Sequence, residues 1–170
     1  MRFKKYLDEN GHNGHVKDNG YISNTDAKEF EKKWLNKLKS YGATAFELST
    51  HFGVERLNHK RNQPPLTIKE LDFVLNGFIS KMGSQFKKDI DAVKKHIAKP
   101  RGMAKKSIPY NNLEYGIISK STGIRFIFAL KQDRKQKNTA IVLPVTIKRD
   151  KKFKINKGEE VIVERRELWT

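Results

Sequence analysis

At 170 residues the chain is long enough for one domain with its own core. Its 36 lysines and arginines outweigh 19 acids, a formal charge of +17, which calls for a polyanionic partner, most often nucleic acid. The absence of cysteine excludes disulfides, thiol catalysis and cysteine zinc sites, and no apolar run approaches the ~20 residues of a membrane span.

Residues 1–9, MRFKKYLDE, read as a short amphipathic helix with Phe3, Tyr6 and Leu7 on one side. The Gly- and Asn-rich stretch through residue 24 reads as a flexible linker. His12 and His15 stand three apart in it, but the further ligands a metal site needs are not evident. Residues 25–170 are expected to form one domain, with a helical half over 25–98 and a sheet half over 108–164. Phe30, Trp34, Leu38 and Tyr41 recur at helical spacing, so a helix is predicted over 25–41, capped by Asn24 or Thr25 and ended by Gly42. Residues 43–48 read as a short connector or strand.

The densest chemistry lies in residues 49–71, STHFGVERLNHKRNQPPLTIKEL, where His51, Glu55, Arg56, His59 and Arg61 fall close together. Ser49 and Thr50 can cap a helix over 51–61 that Pro64 and Pro65 stop, and Thr67 with Glu70 forms a capping box for the next. His51 and Glu55, at i and i+4, share a face. Arginines that neutralise phosphate oxygens beside a histidine that moves protons suit a phosphodiester site; a solvated helix in a very basic chain is the plainer alternative. Val54 and Leu57, with Phe52 at the edge, point to a core.

Two more helices are predicted, over 68–82 and 85–98, with Gly83 as the break between them. The loop KPRGMAKKS at 99–107 carries Lys99, Arg101, Lys105 and Lys106, candidate phosphate contacts. From residue 108 the period turns to strand type. Strands are expected over 113–119 and 124–131 about a KSTG hairpin turn, over 139–149 with a bulge or edge at Pro144, and over 153–155 with 160–164. Arg134 lies in the basic turn at 132–138, and Lys151 and Lys152 in the run KRDKKFK. The fold class is therefore α+β, N-terminal helices on a four-stranded antiparallel sheet. Its free face would show Arg125, Thr146, Lys148 and Arg149. Residues 99–170 hold a net +11 against +6 for residues 1–98, which makes the C-terminal part the likelier nucleic-acid face.

The segment Ser49–Arg61 with the LTIKEL start at 66–71 resembles the RegB-type endoribonucleases of phages, and more broadly the RelE, barnase and colicin-nuclease group. It is also similar to uncharacterised proteins of large tailed phages that carry a comparable S-x-H-F helix, whose later basic segment would fall at Thr146, Lys148, Arg149 and Phe153. The resemblance spans residues 45–155 at most, and Arg56 follows His51 by five residues where the pattern has four. It implies a RelE/RegB-like fold with RNA lying across the sheet. MRFKKYLDE further resembles the capsid-targeting peptides of proteins packaged in phage heads, with Leu7 and Glu9 as the processing residues.

Two functions follow. The first is a metal-independent endoribonuclease in which a ribose 2′-OH attacks the adjacent phosphate. His51 would be the acid or base, tuned by Glu55; Arg56, Arg61 and Arg149 would stabilise charge at phosphorus, and Thr146 would hydrogen-bond a phosphate oxygen. The second is a non-catalytic internal head protein that binds RNA or packaged DNA. Neither needs a cofactor or metal. The expected partners are nucleic acid and, through residues 1–9, a capsid or scaffold, with no membrane; the expected setting is the virion interior or host cytoplasm.

Overall fold

The computed structural model describes residues 21–48, 51–96, 113–133, 135–149 and 160–168, and only the backbone of 51–53. Residues 1–9, most of the linker, the loop at 99–107 and the run at 151–155 lie outside the described residues.

Helix α1 spans Asn24–Lys39. Its N-cap is Ser23, one residue before the expected cap, because Ser23 and Asp26 bond reciprocally as a capping box. Ala27, Phe30, Trp34 and Leu38 bury the predicted stripe. Strand β1, Ala45–Phe46, is only two residues long. Helix α2 spans His51–Leu57, ending four residues before Arg61. Asn62, 2 % exposed, explains the early stop: its Nδ2 donates to the carbonyls of Arg56 and Leu57 and so satisfies the orphan end of the helix.

Helix α3 is continuous from Ile68 to Lys95, where two helices were expected. Thr67 and Glu70 make the predicted capping box. Gly83 does not end a helix; it sits inside one, facing Tyr41, whose Cε1 would lie 3.1 Å from an added Cβ. Trp34 Nε1 and Lys33 Nζ both donate to Asp72, tying α1 to α3.

The remaining strands are β2 Leu113–Ser119, β3 Ile124–Lys131, β4 Ile141–Arg149 and β5 Val161–Glu167. The fold is α+β, but the sheet is mixed and five-stranded rather than antiparallel and four-stranded. Its order is β1-β4-β3-β2-β5, with β1 parallel to β4. The extra strand forms because Thr44 and Glu47 donate their N–H groups to Ala140 and Val142 on the β4 side. β5 pairs with β2, so the chain crosses from one side of the sheet to the other between β4 and β5. A register shift at Ile127/Phe128 opposite Pro144 marks the expected bulge.

Alternation gives the sheet two faces. Tyr115, Phe126, Phe128, Val142 and Ile147 face the helices and are buried. Phe78 and Phe86 of α3 meet Tyr115 and Phe128 with ring centroids 5.1–5.9 Å apart, mostly edge to face.

Candidate nucleic-acid interface

Helix α2 rests on buried Val54 and Leu57. It lies against β4, where the Arg56 guanidinium donates to the Pro144 carbonyl at 3.1 Å. Glu55 is exposed on the same helix. The His51 side chain lies outside the described residues. Arg61 is exposed beyond the helix end, and its N–H donates to His59 Nδ1 at 3.2 Å.

Strand parity separates the β4 residues proposed for the same site. Ile147 faces the helices, so Arg149 does too, while Thr146 and Lys148 point to the outer face. Arg149 therefore does not belong on the free face where the sequence reading put it. Its side chain is 7 % exposed. Nε donates to the Pro64 carbonyl, Nη1 to Thr122 O, and Nη2 to Pro65 O and to Glu70 Oε2 at 2.7 Å. Its backbone N–H donates to Asn62 Oδ1, which closes the link from the end of α2 to β4. Each of the three guanidinium nitrogens of this arginine donates within the fold.

The outer face brings three of the predicted residues together. Arg125 on β3 is directly opposite Lys148 on β4, and Thr146 lies opposite Ile127, one step along the same face. Like charges directly opposite on a strand pair are destabilising unless an anion sits near. Glu164 of β5 approaches Arg125 at 3.9 Å, and its own side chain is 63 % exposed. Gly116 leaves that part of the face low, since the nearest atom to an added Cβ would be a Glu164 carboxylate oxygen at 3.6 Å. Beside these charges the face carries half-buried aliphatic rather than aromatic side chains: Ile127, Leu143 and Ile162.

A second group of cations gathers at the opposite end of the sheet. Gln132 Nε2 donates to the Lys94 carbonyl, which fixes the β3–β4 turn beside the last turn of α3. Lys95, Lys135 and Lys137 are exposed there. Lys131 is buried and paired with Glu47 at 3.5 Å. Arg134, Lys99, Arg101, Lys105, Lys106, Lys151 and Lys152 lie outside the described residues, as do Leu7 and Glu9.

The most elaborate polar cluster escaped the sequence reading. Asp89 of α3 is 3 % exposed. It accepts from Tyr115 Oη, from Gln85 Nε2, and from Arg165 Nε and Nη2 at 2.8 and 2.7 Å. Burial pushes the Asp89 pKa up, but hydrogen bonds from Arg165, Tyr115 and Gln85 outweigh it and hold it below the usual aspartate value. Burial, followed by the adjacent carboxylate, pushes the Tyr115 phenol up. The bond to Asp89 holds the Arg165 proton more tightly than usual. The signal was there: Asp89 stands in the apolar register with Phe86 and Val93, and Arg165 continues the inward alternation of Val161 and Val163. With all its acceptors engaged inside the core, the cluster anchors β5 to α3. Among the described residues no group of acidic and histidine side chains could hold a metal, and no helix is long and apolar enough to cross a membrane.

No protein-family model, curated protein or solved structure matches this chain.

Proposed function

We propose that the chain is a nucleic-acid-binding protein that grips the phosphate backbone across the outer face of its sheet. The observation that carries this reading is the Arg125–Lys148 pair, two cations set directly opposite each other on the outer face, with the Glu164 carboxylate no nearer to Arg125 than 3.9 Å. Such a pair gains most when a phosphate lies between its members. Thr146 supplies a hydroxyl beside it, and the +17 chain favours any polyanion at long range. The turn lysines Lys135 and Lys137 offer a second point of contact. The setting suggested by the first nine residues, the interior of a phage head, belongs to this reading.

One observation favours a second reading, the RelE/RegB-like endoribonuclease. Helix α2 packs on β4, and Arg56 stands at that junction, where it donates to the Pro144 carbonyl. His51 and Arg56 would then carry the chemistry without Arg149.

A single experiment addresses both. End-labelled RNA and duplex DNA are titrated with protein in EDTA over a range of salt. Binding should weaken steeply with salt, and Arg125→Gln/Lys148→Gln should lower the slope of log K against log salt by about 2, one per lost phosphate contact. An unchanged slope in a folded double variant sinks the first reading. RNA cleavage that drops about 10²–10⁴-fold in His51→Ala would establish the second.

A further inference from the structure

Glu164 stands on β5 directly opposite Gly116 of β2. Two residues on, Arg166 has Glu114 opposite it and so meets an opposite charge across the ladder. Glu164 meets a glycine instead. With no side chain in between, its carboxylate lies over β2 and comes within 3.9 Å of Arg125 Nη2 on β3, two strands away.

This contact leaves both groups poorly served. At 3.9 Å it is an ion pair without a hydrogen bond, and 63 % of the Glu164 side chain remains in water. Arg125 is 35 % exposed, yet its Nε is buried and finds no acceptor among the described residues. A buried donor left without an acceptor is costly. Lys148, directly opposite, adds a like charge. Arg165 shows what a guanidinium does when it is fully matched: its Nε and Nη2 both donate to Asp89, at 2.8 and 2.7 Å. Arg125 has the same edge, with one donor unused and the other facing a distant carboxylate.

A phosphate corrects both faults. Two of its oxygens can accept from Nε and Nη2 side by side, the fork geometry that suits a guanidinium. It must then take the place of the Glu164 carboxylate, because two anions on one guanidinium edge repel each other.

We infer that Glu164 is an internal competitor for phosphate at Arg125. It holds the guanidinium when no ligand is bound and is displaced when a phosphate takes the Nε–Nη2 edge. This rests on the reading of the outer face as a phosphate-binding surface, and adds the residue that sets its threshold. The cost of displacing Glu164 falls at one point. A lone anion feels it fully, whereas a polyanion held elsewhere along the face feels it least.

The test reads Arg125 itself in the full chain. Its Nε–H resonance is assigned by NMR from its loss in Arg125→Lys. Inorganic phosphate, and separately a short single-stranded RNA, is then titrated at low ionic strength. Both should shift that resonance saturably in the parent protein. Glu164→Gln, at an exposed position, should tighten phosphate about 2–5-fold, the range of an exposed ion pair, and RNA by no more than that. Glu29→Gln removes the same charge from the exposed side of α1 and should change neither. If the ligands shift the resonance but Glu164→Gln binds them no more tightly than the parent, the phosphate-binding face stands and the role of Glu164 falls. An equal gain in Glu29→Gln assigns the effect to long-range charge and also overturns the proposal. A resonance that neither ligand moves, in parent or variant, removes the phosphate-binding face and the proposal together.

Discussion

Arg149 shows how one side chain can be drained of chemistry by its neighbours. Three backbone carbonyls and Glu70 take its donors, and its N–H goes to Asn62. Arg149→Ala strips partners from several of these groups at once. It should lower unfolding free energy by about 2–3 kcal/mol, read as a shift in the urea midpoint. A variant that lost activity with no shift in that midpoint would contradict this structural role. Asp89 makes a sharper case. Its folded pKa lies below the unfolded value, so its contribution is present above the ordinary aspartate pKa of about 3.9 and is lost as pH falls through the lower folded value. Asp89→Asn should therefore cost about 3 kcal/mol at neutral pH, and the gap to the parent protein should close only in acid. Urea titrations at pH 7 and at stepwise lower pH measure both. A gap that stays constant into acid would mean the carboxylate is not the stabilising species. Both residues look like ordinary surface charges in a basic sequence. Only their parity on strand or helix hints otherwise, and the acceptors that use them are contributed by distant segments.

The inward stripe of α1, the start of α3 and the β2–β3 hairpin were legible because each is defined by its own periodicity or cap. Thr67 and Glu70 cap α3 as read, and Leu113–Ser119 and Ile124–Lys131 are the strands expected. Glycine is where local reading failed. Gly83 carries the same signal whether it ends a helix or lets another side chain come close, and here Tyr41 comes close. Gly77 is the stricter case: an added Cβ would stand 2.7 Å from Val161 Cγ2 on β5. In an isolated helix Gly77→Ala would gain about 1 kcal/mol, but overpacking of this kind costs about 1–3 kcal/mol. Gly77→Ala is predicted to destabilise the protein, and Val161→Ala in the same chain to recover part of the loss. A double-mutant cycle by urea unfolding checks this, and simple additivity of the two changes would refute the contact. Strand β1 was missed as a strand partner for the opposite reason. Two residues have no period, and Ala45–Phe46 becomes strand only because β4 lies alongside.

The molecule as a whole carries far more positive than negative charge, and its cations meet in pairs such as Arg125 and Lys148. Self-repulsion then weakens the compact state at low ionic strength. The melting temperature should rise as salt increases from low to physiological levels, and should rise further with any polyanion that binds the folded form. A melting temperature indifferent to salt would show that the excess charge is already neutralised within the fold. The order of amino acids was enough for the helix-then-sheet layout, the inward stripes and the excess of positive charge, because period and charge are read from the residues themselves. It did not reveal that α3 is one helix, that β1 joins the sheet beside β4, or that Arg149 and Thr146 stand on opposite faces. Those outcomes depend on which distant segments supply acceptors, and on which side of a strand each residue lands once a partner fixes the register. Such information exists only after the chain has closed on itself.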